Sequence, residues 1–466
     1  MLRNKKIQKL AVTLASVMLL AACGKTATEP NTPAVPETVT TQPVVETPEE
    51  LPDNTGELPE QERPIIVWTQ GQAIKNQAEA WAEANGVDVE VVVIPHADLQ
   101  MKLRQSVQDP STAPDVFAIT RDFVRDWTER YDFVVNLDAM FPADAAYYRA
   151  NAFDDLVMLG TGADGALRGV TAEYPVGMMY YNIAMAREIF GTDDPEEVTK
   201  AMSDIDNWEE TYVALKEAYG GDVKMFGLTL NVNTMLYNQR LNPYIENDVF
   251  TLTPEIMRAF EVNKVIYDHG MFIDENTETT AYTSSWSEER FFIDFLPSWG
   301  FGSRYKANVE GTSAEGNWAI TMPPLPYARG GSFFFIPTAS SQPEWAWELI
   351  KGISVDPETL FNNQFAINGF SSNGEANDLL IATGHEETLL GGDNRIFEAY
   401  RRASIPQEAM MKDRDVVTPF DGEVQRILNE AIIAYASGQF TLEQALDMVE
   451  DDITAAWPNV TVVRGF

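Results

Sequence analysis

Residues 65–94 carry the most restrictive pattern in the chain. Ile65-Ile66-Val67-Trp68 is a short apolar run, followed by Thr69-Gln70-Gly71 and a helical pattern with Ile74, Ala78, Trp81 and Ala82 on one face. Gly86 suits the helix's C-terminal cap, and residues 87–94, interrupted only by Asp88 and Glu90, read as the next strand. A βαβ crossover is right-handed and builds a parallel sheet, and open parallel sheets take ligands beyond the carboxyl ends of their strands. Trp68, Thr69, Gln70 and Gly71 fall at such an end. Thr120-Arg121-Asp122 falls at another, after the apolar strand candidate 116–119. The fold class is α/β.

The roughly 400 residues from Pro64 onward exceed what one core holds at typical domain sizes, so two lobes are expected. Helices alternate with short strands almost throughout. Ser341-Gln342-Pro343-Glu344 reads as a capping box, Asp356-Pro357 as a helix start, and Thr441-Leu442-Glu443-Gln444 as another start near the end. No repeat of solenoid or propeller period is evident.

Before this region the chain is of a different kind. Arg3, Lys5, Lys6 and Lys9 precede the apolar residues 10–20, then Ala21 and Ala22. That run falls well short of the roughly 20 residues of a spanning helix and reads as a secretory signal. Cys23 follows and is the only cysteine, which excludes disulfides within the chain and cysteine-based zinc sites. Leu20-Ala21-Ala22-Cys23 resembles a bacterial lipobox, and the resemblance implies that Cys23 becomes an acylated N-terminus, held at a membrane without spanning it. Residues 24–63 contain no aromatic side chain and repeat Pro and Glu, so a disordered tether is expected there.

The formal charge is −38, and loss of residues 1–22 removes four positive charges and no negative one, leaving −42. Nucleic-acid backbones require clustered Lys and Arg, so no nucleic-acid partner is expected. An acidic solvated surface otherwise serves solubility.

Several blocks, in order, resemble the extracellular solute-binding proteins of bacterial ABC importers, specifically the carbohydrate-binding, maltose-binding-protein-like group. "IIVWTQG" and "APDVFAITRD" are similar to its first lobe, and "YPVGMMYYNIAMAREIFG" to the segment where the chain crosses between lobes. "FLPSWGFG" resembles the second-lobe loop with a sugar-stacking tryptophan. "ARGGSFFFIPTASSQPEWAWELIKGIS" resembles the return crossing and its helix, and "ASGQFTLEQALDMVEDDI" the C-terminal helices. Where relatives carry a Gly-Lys-Ala-Ala-Met-like strand, this chain has Phe291-Phe292-Ile293-Asp294-Phe295-Leu296; the strand is expected to survive.

The resemblance implies a periplasmic-binding-protein-like fold of type II, two α/β lobes joined by hinge crossings around a ligand cleft. The expected divisions are 1–22 signal peptide, 23–63 lipidated cysteine and tether, 64–174 with 334–372 as one lobe, and 175–333 with 373–466 as the other. Crossings are expected near 173–176, 331–335 and 370–374. A ligand touching both lobes stabilises the closed state.

Sugars present hydroxyls that need paired donors and acceptors and an apolar face that lies on an aromatic ring. By family position Trp299 is the first stacking candidate. Phe333 stands where relatives carry an aromatic at the return crossing, against a buried-strand reading, and Tyr180 follows the first crossing. Trp68 ends the first strand and either lines the cleft or packs beneath it. Asp122, Gln70 and Asn231 lie at predicted strand ends; for Asp122 a helix N-cap is the alternative. Arg304 reaches an acidic sugar or a surface carboxylate.

The implied partners are a carbohydrate, ABC permease subunits with a separate ATPase, and a membrane through Cys23, with the protein a monomer on the extracellular or periplasmic side. No cofactor, metal or catalytic role is expected. A peptide, polyamine or ferric complex is the alternative cargo, and a surface glycoside-active enzyme the alternative activity. For iron, Tyr147-Tyr148 and Tyr180-Tyr181 exist, but His96, His269 and His385 form no ligand spacing. For an enzyme, carboxylates alone are no evidence without a matched pair at one bond. "GTGADG", residues 160–165, lacks the Lys-Ser/Thr ending of a phosphate loop and reads as a turn.

Overall fold

The computed structural model describes residues 58–275, 279–412 and 414–465. Cys23, the signal segment and residues 24–57 of the expected tether lie outside the described residues. No helix among those described is long and apolar enough to cross a membrane.

One sheet has the strand order β2-β1-β3-β12-β4, from β1 (Ile65–Thr69), β2 (Val89–Val93), β3 (Val116–Thr120), β4 (Val170–Thr171) and β12 (Ser332–Phe335). The βαβ unit forms as the pattern requires. β1 pairs parallel with β2 from Ile65↔Val89 to Thr69↔Val93, and helix Gln72–Asn85 joins them. Its apolar face buries Ala78 and Ala82, with Ile74 and Trp81 packed on the same core. Gly86 ends it at φ 67°, a left-handed turn that favours glycine.

The second sheet, of order β11-β5-β10-β6-β9, contains β5 (Gly177–Asn182), β6 (Lys224–Leu228), β9 (Phe272–Asp274), β10 (Phe291–Pro297) and β11 (Trp318–Thr321). Every residue of β10 is buried. Phe292, Ile293 and Phe295 join one hydrophobic cluster, and Phe291 and Leu296 join another. A strand covered on both faces reads as a continuous apolar run, and each such side chain contributes roughly 1.5–3 kcal/mol by burial. A third sheet, β13-β8-β7, ties the C-terminal strand β13 (Thr461–Arg464) to the hairpin of β7 (Ile245–Glu246) and β8 (Val249–Leu252).

The chain leaves the first sheet after β4 and enters the second at β5, and it returns between β11 and β12. These crossings lie beside a third stretch. Glu173 bridges to Ser371, Tyr174 N–H donates to the Phe370 carbonyl at 2.9 Å, and Val176 bridges to Ala328. Gly331, at φ 83°, faces Pro175 so closely that a Cβ there would stand 3.2 Å from Pro175 Cγ.

Three expectations are corrected. The tether expected to run to Arg63 is held from Pro59: the Pro59 carbonyl accepts Trp345 Nε1–H at 2.9 Å, Gln61 pairs with the Asp88 backbone, and Arg63 forks onto Asp115 at 2.6 and 2.9 Å. Helix Pro343–Ser354 has no side-chain N-cap: its N-cap residue is Gln342, whose amide donates to the Pro64 carbonyl and to Asp115. A lobe boundary between residues 333 and 334 cuts through β12, whose ladder with β3 starts at Ser332↔Thr120. At the other helix starts the caps form: Asp356 accepts from Thr359 N–H, and Thr441 and Gln444 make a reciprocal capping box.

Candidate functional site

A small solvent-connected cavity opens where the carboxyl end of β3 meets the second lobe. Arg121 and Asp122 line it from β3; Asn238, Arg240, Asp421 and Gln425 line it from the opposite side. Parallel strands end here, so side chains just past β3 project into the crevice instead of into a ladder. Asp122 caps no helix; the short helix that follows, Val124–Thr128, has Phe123 at its N-cap without a side-chain bond.

On the opposite side Arg240 forms a very short ion pair with Asp421, and its guanidinium stacks 4.3 Å over the Tyr244 ring. Thr418 holds Asp421 through its N–H and its hydroxyl, both at 2.9 Å. Burial pushes the Asp421 carboxyl up, opposed by Arg240. Asp122 is electrostatically coupled across the cavity to Arg240 and to Arg329.

Arg329 lies on the return crossing, and its Nη1 donates to Asn231 Oδ1 in a short hydrogen bond. Asn231 is fully buried and passes the contact on, donating Nδ2–H to Asp294 Oδ1 at 3.3 Å. Asp294 also accepts the Tyr282 hydroxyl at 2.8 Å and the Phe295 N–H at 2.8 Å. Enclosed in β10, this carboxyl is pushed up to about 7 by burial. A Cβ on Gly227 of the neighbouring β6 would stand 2.6 Å from Asp294 Oδ2, so the missing side chain there makes room for the carboxyl.

Trp299 follows β10 and is half-buried. Its Nε1–H donates to the Arg329 carbonyl at 2.9 Å, and its ring lies over Gly330, where a Cβ would come within 2.9 Å of Nε1. The preceding Ser298 is tied to the first crossing by its N–H to the Val176 carbonyl, 2.8 Å, and its hydroxyl to the Tyr174 carbonyl, 2.9 Å. The chain then makes a π-helix over Phe301–Lys306, a wide-turn geometry that recurs at functional sites. Arg304 sits in that turn, its Nη1 3.4 Å from the Ser303 carbonyl.

On the first lobe Gln70 Oε1 lies 2.5 Å from His96 Nδ1. An amide oxygen only accepts, so Nδ1 carries the hydrogen. Burial lowers the His96 pKa, with Asp122 pulling it back up, and the ring packs 4.7 Å from Phe123. Trp68 is half-buried beneath Lys102, whose ammonium sits 5.2 Å from the ring centroid.

Of the sequence candidates, Asp122 lines the crevice, Gln70 bonds His96, Trp299 rests on Gly330, Trp68 ends β1 and Arg304 lies in the π-helix. Two belong to the core. Tyr180 is fully buried in β5 and packs edge-on to Trp286 at 5.9 Å and near Tyr305 at 5.5 Å, so the hydrophobic core takes its ring. Phe333 is 1% exposed, with Ile119 and Thr171 as its strand partners, and the buried-strand reading is the right one. Asn231 is corrected in kind: it opens the helix Leu230–Tyr237 after β6, with its amide committed to Arg329 and Asp294.

Sequence reasoning missed Arg329, Arg240, His96 and Asp294. Asp294 had a signal, a lone carboxylate in an unbroken apolar strand. Arg329 had another, a charge set directly before Gly330-Gly331. The residues "GTGADG" form a turn, with Gly165 at φ 81° and its N–H on the Gly162 carbonyl.

No curated protein sequence matches the chain. Solved structures do at the level of the fold. One described as an extracellular solute-binding protein family 1 has a TM-score of 0.67 at 18% identity, covering 84% of this chain and 99% of its own. An ABC-transporter-associated binding protein from B. animalis subsp. lactis, solved with beta-1,6-galactobiose, gives 0.66 at 14% identity, covering 86% and 99%. The sugar-binding protein MalE from Xanthomonas citri gives 0.65 at 16% identity, covering 84% and 98%. At these identities the likeness shows the fold, two α/β lobes. The sequence model of the bacterial extracellular solute-binding proteins matches residues 76–371. The chain belongs to the bacterial extracellular solute-binding protein family.

Proposed function

We propose that this protein captures a carbohydrate, most simply an oligosaccharide, in the crevice between its lobes and delivers it to the permease of an ABC importer. The observation that carries the reading is a half-buried indole, Trp299, pinned by the Arg329 carbonyl and Gly330 on the segment that follows Ala328, itself part of a crevice lined by hydrogen-bonding side chains from both sides. An aromatic face beside charged donors and acceptors suits a sugar's two surfaces. The ligand named for one similar structure, beta-1,6-galactobiose, points the same way.

In this reading Trp299 stacks on the sugar, Asp122 and Arg329 take its hydroxyls, and Gln70 and Asn231 hold His96 and Arg329. Trp68 serves as a stacking surface only if Lys102 leaves its ring, and Arg304 lies at the rim. The lobes run from residue 64 to 174 with 332 to 372, and from 175 to 331 with 373 to 466, moving about the adjoining crossings. Closure on a ligand that touches both lobes makes the form the permease recognises. The protein acts as a monomer without covalent chemistry, anchored to the outer face of the cell membrane through a lipidated Cys23.

Calorimetric titration of the purified full chain with mono- and oligosaccharides tests the proposal. Saturable binding without turnover supports it; hydrolysis of the sugar, or binding only to peptides, polyamines or ferric complexes, overturns it.

A further inference from the structure

The cleft wall departs in charge balance from the rest of the molecule. The chain carries a formal charge of −38, yet in the crevice lining two arginines, Arg121 and Arg240, stand against two carboxylates, Asp122 and Asp421, and a third, Arg329, follows the lining residue Ala328 and is electrostatically coupled to Asp122. Their counter-charges are unequal. Arg240 pairs with Asp421. Arg121 is 4% exposed, stands 3.6 Å from Asp155, and leaves both Nη atoms buried without a hydrogen-bond acceptor among the described residues. Burial pushes the Asp155 carboxyl up, opposed by Arg121. Arg329 donates to a neutral amide, Asn231, and among the described residues no carboxylate lies within ion-pairing distance of it. The carboxylate behind that amide, Asp294, is itself raised to about 7 by burial. Asp122 is the remaining carboxylate of the wall, and it faces both Arg240 and Arg329 at long range.

A guanidinium has five N–H donors in a planar fork, and removing it from water without a counter-charge is costly. The fork matches a carboxylate's two oxygens. Nothing in a neutral sugar supplies that charge. We infer that the ligand is an acidic carbohydrate, one bearing a carboxylate on a sugar ring, and that Arg329 receives this carboxylate, positioned by Asn231 and Asp294 behind it. Trp299 is fixed to the same residue through the Arg329 carbonyl, so the ring-stacking surface and the cation hold a constant spacing. Asp122 accepts from the ligand's hydroxyls across the crevice. The inference rests on the carbohydrate reading above and narrows it.

The test is calorimetric titration of the full chain with oligosaccharides of glucuronate and galacturonate beside their neutral glucose and galactose counterparts. The wild type should bind one acidic ligand at least about 10-fold tighter than its neutral counterpart, a difference of about 1.4 kcal/mol. Arg329→Gln should bring that ratio near one, with Arg329→Lys between. Neutral sugars binding as tightly as acidic ones would overturn the inference and leave the carbohydrate reading standing. Equal weakening of both classes by Arg329→Gln would also overturn it. Binding of neither class would overturn both readings. If Arg329→Gln does not fold, the wild-type ratio and the lysine variant decide the matter.

Discussion

The Trp299 indole N–H donates to the backbone carbonyl of Arg329 at 2.9 Å, joining the loop after β10 to the return crossing thirty residues later. A side chain is aimed here by backbone, which does not move when a neighbouring side chain changes rotamer. Space for the ring depends on Gly330, at φ 74°, where any Cβ would enter the indole. Gly330→Ala should therefore weaken ligand binding by about 10-fold or more and lower stability by roughly 1–3 kcal/mol through strain at positive φ. Calorimetric titration and urea unfolding measure the two effects separately.

Asp294 sets a pH dependence. Its folded pKa, about 7, lies above the value near 4 expected unfolded, so the native state binds the extra proton between those limits. Stability from this group is greatest below about pH 4 and falls as pH rises toward 7, by up to about 1.4 kcal/mol per pH unit. The facing groups are Tyr282 and Asn231, with Arg329 and Tyr327 at longer range. Asp294→Asn should gain stability relative to wild type as pH rises from about 5 to 8, a trend that urea titrations at several pH values would show or exclude.

Arg63 and Asp115 give the opposite sign. Asp115 is 1% exposed and accepts from Arg63, Ile66 N–H, the Ser340 hydroxyl and Gln342. The Arg63 and Ser340 hydrogen bonds overcome burial and lower its pKa. That contribution is present above the unfolded value near 4 and is lost as pH falls through the depressed one. Arg63→Ala should cost about 1–2 kcal/mol at neutral pH, a partner half in water being worth less than a buried one. It should also speed proteolysis near Pro59, and the difference from wild type should shrink in strong acid.

Cys23→Ala should release the protein from cell membranes into the medium or periplasm and abolish incorporation of a labelled fatty acid. Retention of the label on the variant would locate the anchor elsewhere.

What the sequence disclosed followed from its periodicities. The βαβ opening, β10 and the Thr441 capping box each have a local cause, and each formed. Asp122 was legible because the end of a parallel strand marks a crevice whatever follows it. Tyr180 and Phe333 misled for one reason: strands covered on both faces look alike whether an aromatic faces core or cleft, and the difference depends on distant residues such as Trp286 and Tyr305. Arg329 was not legible because its meaning depends on Asn231 and Asp294, 98 and 35 residues away, meeting behind it. The docked end of the tether was hidden likewise, since Arg63 binds a carboxylate 52 residues on.

The central claim, a carbohydrate bound between the lobes against Trp299, is tested most directly by titrating sugars into the wild type and Trp299→Ala in parallel. The account predicts saturable heat and a tryptophan fluorescence change for one sugar family in the wild type, with affinity at least about 10-fold lower in the variant. Equal affinity in the two proteins would contradict it.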